Sequence, residues 1–444
     1  MIRFAQKMQI SLTKRFKWGI IIKKKQKGAN LMILEFSCSN HKSIKDKVTF
    51  SAIASSDDTY EEILKEFSKY RVLRSAVIYG PNGSGKSNFL NALEFMRNLV
   101  CNSMHHQPGQ GIFQAPHKLS AENEPSEYSI QFVKDDVRYA YGFTIVKNLV
   151  EEEYLYYFPK GKQVKIFERE KVTIKPGDRY KGGVLDVSLS VLKENRLFLS
   201  CVANFSNIKE VELAFLFFQS DIVYYNAHIN NWTEYSIQLM QRDEEVRQMF
   251  LKFLQELGTG IKDVRIKCGK VKIQSSDLPA EVPNAIKSMF TMQEANRIDA
   301  KIVYENFETD LMLEESVGIK KLFEVICPII DIIKNGKILI CDEFEMGLHE
   351  AIVHYIIKVF HKAKQDKFAQ LIFTTHDTSL LDTNLFRRDQ IWFTQLNEER
   401  ATDLYSLVEI KNVRKTENLE KGYVSGKYGA IPMLNQTFSD LFSM

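Results

Sequence analysis

The sequence of 444 residues has no C-x-x-C pair, no internal repeat, no low-complexity tract and no heptad array sustained over several heptads. Its six cysteines, Cys38, Cys101, Cys201, Cys268, Cys327 and Cys341, are scattered. Neither a zinc site nor a disulfide framework is therefore indicated, and a reducing, cytoplasmic setting is expected. No stretch approaches the roughly 18 apolar residues of a spanning helix, so no membrane partner is expected. The apolar run Trp18-Gly19-Ile20-Ile21-Ile22 is too short even for a signal-peptide core. Residues 1–30 lack acidic side chains altogether and hold nine Lys and Arg. Leaving those nine charges out turns the net charge of +4 into −5, so the body of the chain is mildly acidic and composition alone gives no argument for a nucleic-acid surface.

What is present is an ordinary globular composition, 44% hydrophobic and 26% charged, in a chain long enough for two or three domains. Residues 1–31 read as a basic extension that is disordered, either dispensable or touching nucleic acid or anionic lipid. Folded sequence is expected to begin near Met32, which also leaves Met32 open as the start of translation. Two strands are expected over 33–37 and 48–54, at the edge of a nucleotide-binding lobe. A loop without periodicity follows over 103–126. Residues 128–175 alternate aromatic and β-branched with polar residues, with turn signals at Asp135-Asp136 and Pro159-Lys160-Gly161, which predicts an antiparallel meander. Helical spacing dominates 185–256. The strand expected over 264–273 carries Arg265, Lys267, Lys270 and Lys272, either a basic ribbon for a nucleic-acid backbone or a solvated face. From residue 300 onward strands alternate with helices, as in a mostly parallel sheet.

One stretch carries most of the functional information. Gly80-Pro81-Asn82-Gly83-Ser84-Gly85-Lys86-Ser87 fits the G-x-x-x-x-G-K-[ST] phosphate-binding loop, between an apolar strand at 76–79 and a helix marked by Phe89, Leu93, Met96 and Val100. Glycines in such a loop let successive backbone N–H groups face a polyphosphate, and the helix that follows points its positive end there. Gly80, Asn82, Gly83, Ser84, Gly85 and Asn88 are thus expected to line ATP. Lys86 is expected to reach the β- and γ-phosphates and Ser87 to ligate Mg²⁺.

Two later strands supply complementary groups. Lys337-Ile338-Leu339-Ile340-Cys341 ends in Asp342-Glu343, the order of a Walker B segment. Asp342 is expected to hold Mg²⁺, and Glu343 to orient or deprotonate the attacking water. The strand Gln370-Leu371-Ile372-Phe373-Thr374-Thr375 delivers His376, which either is structural or hydrogen-bonds the γ-phosphate. Between these segments Glu315-Ser316-Val317-Gly318 introduces a helix with the apolar stripe Ile319, Leu322, Phe323 and Ile326, which Pro328 should kink or interrupt and Asn335-Gly336 should end. Ser316 is either an N-cap or, with Gly318, a signature loop for the γ-phosphate of ATP held by a second subunit.

In this order the four segments resemble an ABC-type ATPase head of the SMC/RecF/OLD-like branch, and within it the AbiL-like AAA-type ATPases of bacterial abortive infection and phage defence. The likeness also rests on Leu34-Glu35-Phe36-Ser37, on Asn40-His41-Lys42-Ser43-Ile44, on Arg387-Arg388-Asp389-Gln390-Ile391-Trp392-Phe393 and on the tail from Glu417 through Pro432. It implies an α/β P-loop NTPase fold with an ABC-type head, its N-terminal part at 32–125 and its C-terminal part at 299–444, carrying an inserted β-meander and helical lobe at 126–298. It further implies ATP and Mg²⁺ as cofactors, Lys86, Glu343 and His376 as catalytic residues, and a homodimer in which each nucleotide touches Lys86 of one chain and Ser316 of the other. The chain departs from the pattern at Val317, at Ile319 and in the loop 344–350. No glutamine stands out for the Q-loop; Gln107, Gln110 and Gln114 are all candidates.

The expected function is Mg²⁺-dependent ATP binding and hydrolysis, driving a sensor or scaffold that controls a separately encoded nuclease or toxin during phage infection. The segment after His376 is expected to be too short for a nuclease domain of the chain's own. Alternatives are a RecF-like DNA-binding repair clamp and a scaffold in which ATP is turned over rarely.

Overall fold

Three short segments have unbroken apolar centres, without the alternation of a half-solvated strand, and they become strands covered on both faces. In the computed structural model, which describes residues 30–183, 185–272, 294–362, 367–414 and 416–432, these are β5 (Ser75–Tyr79), β15 (Ile338–Asp342) and β16 (Gln370–Thr374), every residue of them buried. With β11 (Ile222–Asn226), β17 (Ile391–Leu396) and β18 (Thr402–Ser406) they form a six-stranded sheet ordered β11-β15-β16-β5-β17-β18. All neighbours are parallel except β17 and β18. The strands at 76–79, 337–341 and 370–375 are where the sequence places them.

A second, antiparallel sheet runs β10-β9-β8-β7-β6-β1-β2, built from β1 (Leu31–Ser39), β2 (Val48–Ser51), β6 (Ser126–Lys134), β7 (Val137–Val146), β8 (Leu149–Phe158), β9 (Val164–Glu170) and β10 (Thr173–Pro176). A small hairpin joins β3 (Lys65–Phe67) to β4 (Tyr70–Val72). The helix Lys86–Asn102 buries Phe89, Leu90, Leu93 and Met96 in a core shared with Phe36 and Phe50 of the antiparallel sheet and with Ile78 and Ile340 of the parallel one. Phe89 meets the Phe36 ring edge-on with centroids 5.6 Å apart.

The chain divides into two units, one of residues 232–330 and the other of the described residues on either side. This partition differs from the expected one in two places. β1 pairs with β6 from Leu31 to Ser39, so the meander continues the sheet that β1 begins, and the expected boundary between 125 and 126 falls within that sheet. The stretch 185–256, read as helical throughout, also contains β11, a strand of the nucleotide-type sheet. Its five residues follow the helix Lys209–Leu216 and a wider helical turn at Phe217–Asp221, where apolar runs of either kind look alike in sequence.

In the unit of residues 232–330, the helical spacing resolves into two helices, Thr233–Arg242 and Glu244–Glu256. Asp243 breaks the run and caps the second helix, accepting from the Val246 N–H at 3.2 Å. Beside them lies a three-stranded antiparallel sheet, β12 (Asp263–Lys272), β13 (Glu294–Val303) and β14 (Glu308–Asp310). Arg265 on β12 pairs with Glu308, so one charge of the basic ribbon is already matched, and the side chains of Lys270 and Lys272 lie outside the described residues. So does the basic extension up to residue 29. Of the kink or interruption expected at Pro328, the interruption does not occur: the helix runs from Val317 to Asn335 through the proline. Neighbours Ile326, Cys327 and Ile329 are all buried, and that packing outweighs the one backbone hydrogen bond the proline removes. No described helix is long and apolar enough to cross a membrane.

One buried ion pair ties the antiparallel sheet to the helix Phe198–Phe205. Glu153 on β8 meets Arg169 on β9 at 3.1 Å and accepts from the Tyr141 hydroxyl and from the Phe198 and Leu199 N–H groups at 3.0, 2.6 and 2.9 Å. Both charged side chains are fully buried, so removing one leaves the other uncompensated. Glu153→Ala is expected to lower the unfolding free energy by about 3–5 kcal/mol, as measured by chemical denaturation.

Candidate active site

The parallel sheet brings the sequence's scattered groups to one edge, because strands that run the same way end on the same side. In register, Asn226 ends β11 beside Asp342 at the end of β15, Thr374 ends β16 beside Ile78, and Gly80 follows β5. His376 comes two residues after β16.

The phosphate loop is held open from below. A side chain at Gly80 would place its Cβ 2.4 Å from the Thr394 carbonyl oxygen, and one at Gly85 would lie 2.0 Å from the Thr402 hydroxyl. Gly85 also has φ 104°, a conformation that L side chains rarely adopt. Two hydroxyl chains lock the turn. Ser84 bonds Thr394 at 2.7 Å, and Thr394 donates to the Tyr79 carbonyl at 3.3 Å. Asn88 donates to Ser43 at 2.7 Å, Ser43 bonds Thr402 at 2.7 Å, and Thr402 donates to the Ser84 carbonyl at 2.9 Å. The Ser84 and Asn88 side chains are therefore committed inward, which leaves backbone groups as what these two offer a phosphate. Asn82 and Gly83 form the exposed tip. No side chain caps the helix that starts at Lys86, so its first N–H groups are open to an anion.

Lys86 folds back on its own loop, donating to the Gly80 and Pro81 carbonyls at 2.7 and 3.3 Å. Burial pulls its pKa down to about 8, against the opposing charges of Asp342, Glu343 and Glu345. Asp342, 3% exposed, accepts three hydrogen bonds: from Ser87 at 3.1 Å and Thr374 at 2.7 Å on Oδ1, and from the Asn226 amide at 2.9 Å on Oδ2. Glu343 follows in the left-handed region at φ 53°, a position that costs a residue with a side chain about 1–2 kcal/mol. Its N–H donates to the Thr374 hydroxyl at 2.8 Å, and its Oε2 lies 2.5 Å from Nε2 of His228. The exposed His376 donates its backbone N–H to Glu345 at 2.7 Å. Burial and the Lys86 charge lower the pKa of its imidazole, while Glu345, Glu343 and Asp342 act the other way.

These residues fit a magnesium nucleotide. The Ser87 hydroxyl and Asp342 carboxylate are hard oxygen donors already 3.1 Å apart, and the Glu345 Oε2 atom is buried beside Lys86 and His376 without a hydrogen-bond partner. Mg²⁺ takes one or two carboxylates plus phosphate oxygens and water. Among the described residues, no group of three or more His, Cys, Asp or Glu side chains is placed to hold a metal ion by itself.

Ser316 and Gly318 belong to the other unit. Ser316 caps the helix Val317–Asn335, accepting from the Ile319 N–H at 3.3 Å, and both residues are exposed. The three Q-loop candidates lie elsewhere: Gln107 and Gln110 bond each other and give their carbonyls to Asn195, and Gln114 lies further along the same loop. The amide beside the Asp342 carboxylate is Asn226, hidden from sequence reasoning because it is not a glutamine and ends a strand within a stretch of helical spacing. Also missed were Thr374, His228, Ser43, Thr394 and Thr402, and Lys42, whose burial-lowered ammonium is partly restored by the charge of Asp342. Thr374 lies two residues before His376 in a strand already singled out, and Lys42-Ser43 sits in a motif already singled out; the others carry no local signal.

The family described as "AAA domain, putative AbiEii toxin, Type IV TA system" matches residues 75–382, from the first residue of β5 past His376. The chain belongs to this family. Solved structures similar to this AAA-domain protein include the SMC head domain from Thermotoga maritima, at 13% identity and a TM-score of 0.40 over 84% of this chain and 98% of that one. The SMC head bound to the C-winged helix domain of ScpA gives 16%, 0.38, 84% and 97%. An Smc head with an extended coiled coil bound to the C-terminal domain of ScpA, derived from Pyrococcus furiosus, gives 17%, 0.37, 85% and 96%. No curated protein matches the chain.

A triphosphate is bound best by a protonated Lys86, so affinity for ATP is expected to stay level below about pH 8 and to fall as pH rises through that value. The fall approaches roughly tenfold per pH unit where the ammonium is mostly lost. Titration with a fluorescent ATP analogue checks this, and Lys86→Arg, whose guanidinium keeps its proton, should flatten the profile.

Proposed function

We propose that the chain hydrolyses ATP with Mg²⁺ and uses the cycle to control a separate effector. The convergence of Lys86, Ser87, Asp342, Glu343 and His376 at one sheet edge carries this reading. Ser87 and Asp342 would hold Mg²⁺, which when bound neutralises charge on the phosphates. Lys86 leaves its loop carbonyls for the β- and γ-phosphates. Glu343 accepts the proton of the attacking water, and the neutral imidazole of His376 donates a hydrogen bond to the γ-phosphate. The water-activating step needs a carboxylate near but not on the metal, and Glu343 stands one residue from Asp342 at the strand end.

The reading extends to a homodimer, in which the exposed Ser316 and the start of its helix would meet the γ-phosphate held by the other copy. A family described as a toxin of a type IV toxin–antitoxin system favours abortive infection or phage defence over DNA repair. The effector would be a separately encoded nuclease or toxin, as in the AbiL-like proteins that the sequence resembles. A cytoplasmic location would suit both.

Glu343→Gln is expected to lower ATP turnover by about 10²–10³-fold with ATP affinity kept. Phosphate-release kinetics beside equilibrium nucleotide binding make the measurement. Wild-type turnover in this variant would remove Glu343 as the base. The same variant, unable to hydrolyse, should collect as an ATP-dependent dimer in size-exclusion chromatography, and a monomer at saturating ATP would count against the two-head arrangement.

A further inference from the structure

Around Glu343 the hydrogen bonds close into a ring. Thr374 spends its one proton on Asp342 Oδ1 and accepts the Glu343 N–H on a lone pair. Glu343 Oε2 meets His228 Nε2. The His228 backbone N–H donates to Asn226 Oδ1 at 3.0 Å, and the Asn226 amide returns to Asp342 Oδ2. The turn carrying His228 is pinned at its base, where Asn226 N–H donates to the Asn230 side chain at 2.7 Å and the Asn226 carbonyl accepts from the Ile229 and Asn230 N–H groups. Every member lies in the same unit of the chain.

We propose that Thr374 and His228 are positioning residues that clamp Glu343, Thr374 through its backbone and His228 through its carboxylate, so that the metal carboxylate Asp342 sets the aim of the base. The clamp rests on the reading of Glu343 as the base. Glu343 needs such support for two reasons. Its left-handed backbone is held only by what surrounds it, and the Thr374 hydroxyl is the group that receives its N–H. Its side chain is partly exposed, and a free glutamate side chain would spread over several rotamers at a point where small misplacement costs rate. Asp342 is common to both arms of the ring, through Thr374 on one oxygen and Asn226 on the other.

The test uses the full chain with Thr374→Val, which keeps the shape and deletes the hydroxyl, and with His228→Ala at a half-exposed site where folding is not at stake. Thr374→Ser and His228→Gln are the conservative partners, since each keeps a group able to make the bond. Turnover, KM, affinity for a fluorescent ATP analogue and melting temperature are read for each. Thr374→Val and His228→Ala are each expected to lower kcat by roughly tenfold or more, with KM and nucleotide affinity within about twofold of wild type. The serine and glutamine variants should recover most of that loss. In a Glu343→Gln background neither change should lower the residual rate further, because a clamp has nothing left to aim. Wild-type kcat in His228→Ala beside an inactive Glu343→Gln would overturn the clamp alone, as would equal losses in both backgrounds. Wild-type turnover in Glu343→Gln itself would overturn the base assignment and the clamp with it. Should Thr374→Val fail to fold, the His228 variants decide.

Discussion

The Asp342 carboxylate is the fixed point of this molecule. It is buried at the end of a central parallel strand, and it is tolerable there because three side chains from three other segments donate to it: Ser87 from the phosphate loop, Thr374 from β16 and Asn226 from β11. A carboxylate so held cannot drift, and the same bonds hold its donors. The phosphate loop, the Asn226 amide at the end of β11 and Thr374, two residues before His376, are thereby indexed to one atom group. Parallel register makes this possible, since an antiparallel neighbour would carry its strand end to the opposite edge.

Around that point the site is built at a cost in local stability. Glu343 occupies a left-handed conformation, Lys86 is desolvated enough to lower its pKa, and Gly80 and Gly85 give up side-chain contacts so that Thr394 and Thr402 can press against the loop. The antiparallel sheet and the helix Lys86–Asn102 supply what offsets these costs. Phe36, Phe50 and Phe89 pack in one continuous core, and Trp392 meets the Phe50 ring at a tilt, centroids 5.1 Å apart, from the strand next to the loop. Rigidity close to the loop thus comes from apolar packing, and the polar groups at the edge are free to be placed for chemistry.

How much of this could be read beforehand depended on whether a residue's role is written in its neighbours. The phosphate loop, the Asp342-Glu343 strand and His376 are local patterns, and their strands form where the apolar runs predict. Partners drawn from far along the chain were not legible. Ser43 reaches Thr402 across 359 residues, and nothing near either residue announces it. Asn226 stayed hidden because its strand follows a helix with no turn signal between them, and because an asparagine stands where a glutamine was sought. The pairing of β1 with β6 stayed hidden for a related reason: four strands and the helix Lys86–Asn102 lie between them in sequence, and alternation tells that a strand exists but not which strand lies beside it.

Lys86 shows how the loop's architecture bears on the proposed cycle. Its ammonium, held between two loop carbonyls, faces the charges of Asp342, Glu343 and Glu345 with no ion pair that would fix it there. Carbonyls are neutral acceptors and give less than a phosphate's anionic oxygens would. A triphosphate would then gain twice, once from the direct contact and once from restoring the ammonium that burial has weakened. The phosphate charge would also offset the three carboxylates that crowd the edge. Thr374, Asn226, His228 and the His376 backbone each donate a hydrogen bond to one of those acids. The network that holds these acids is therefore the same one that would aim them at a bound nucleotide, so substitutions in it should separate binding from turnover more cleanly than substitutions in the loop.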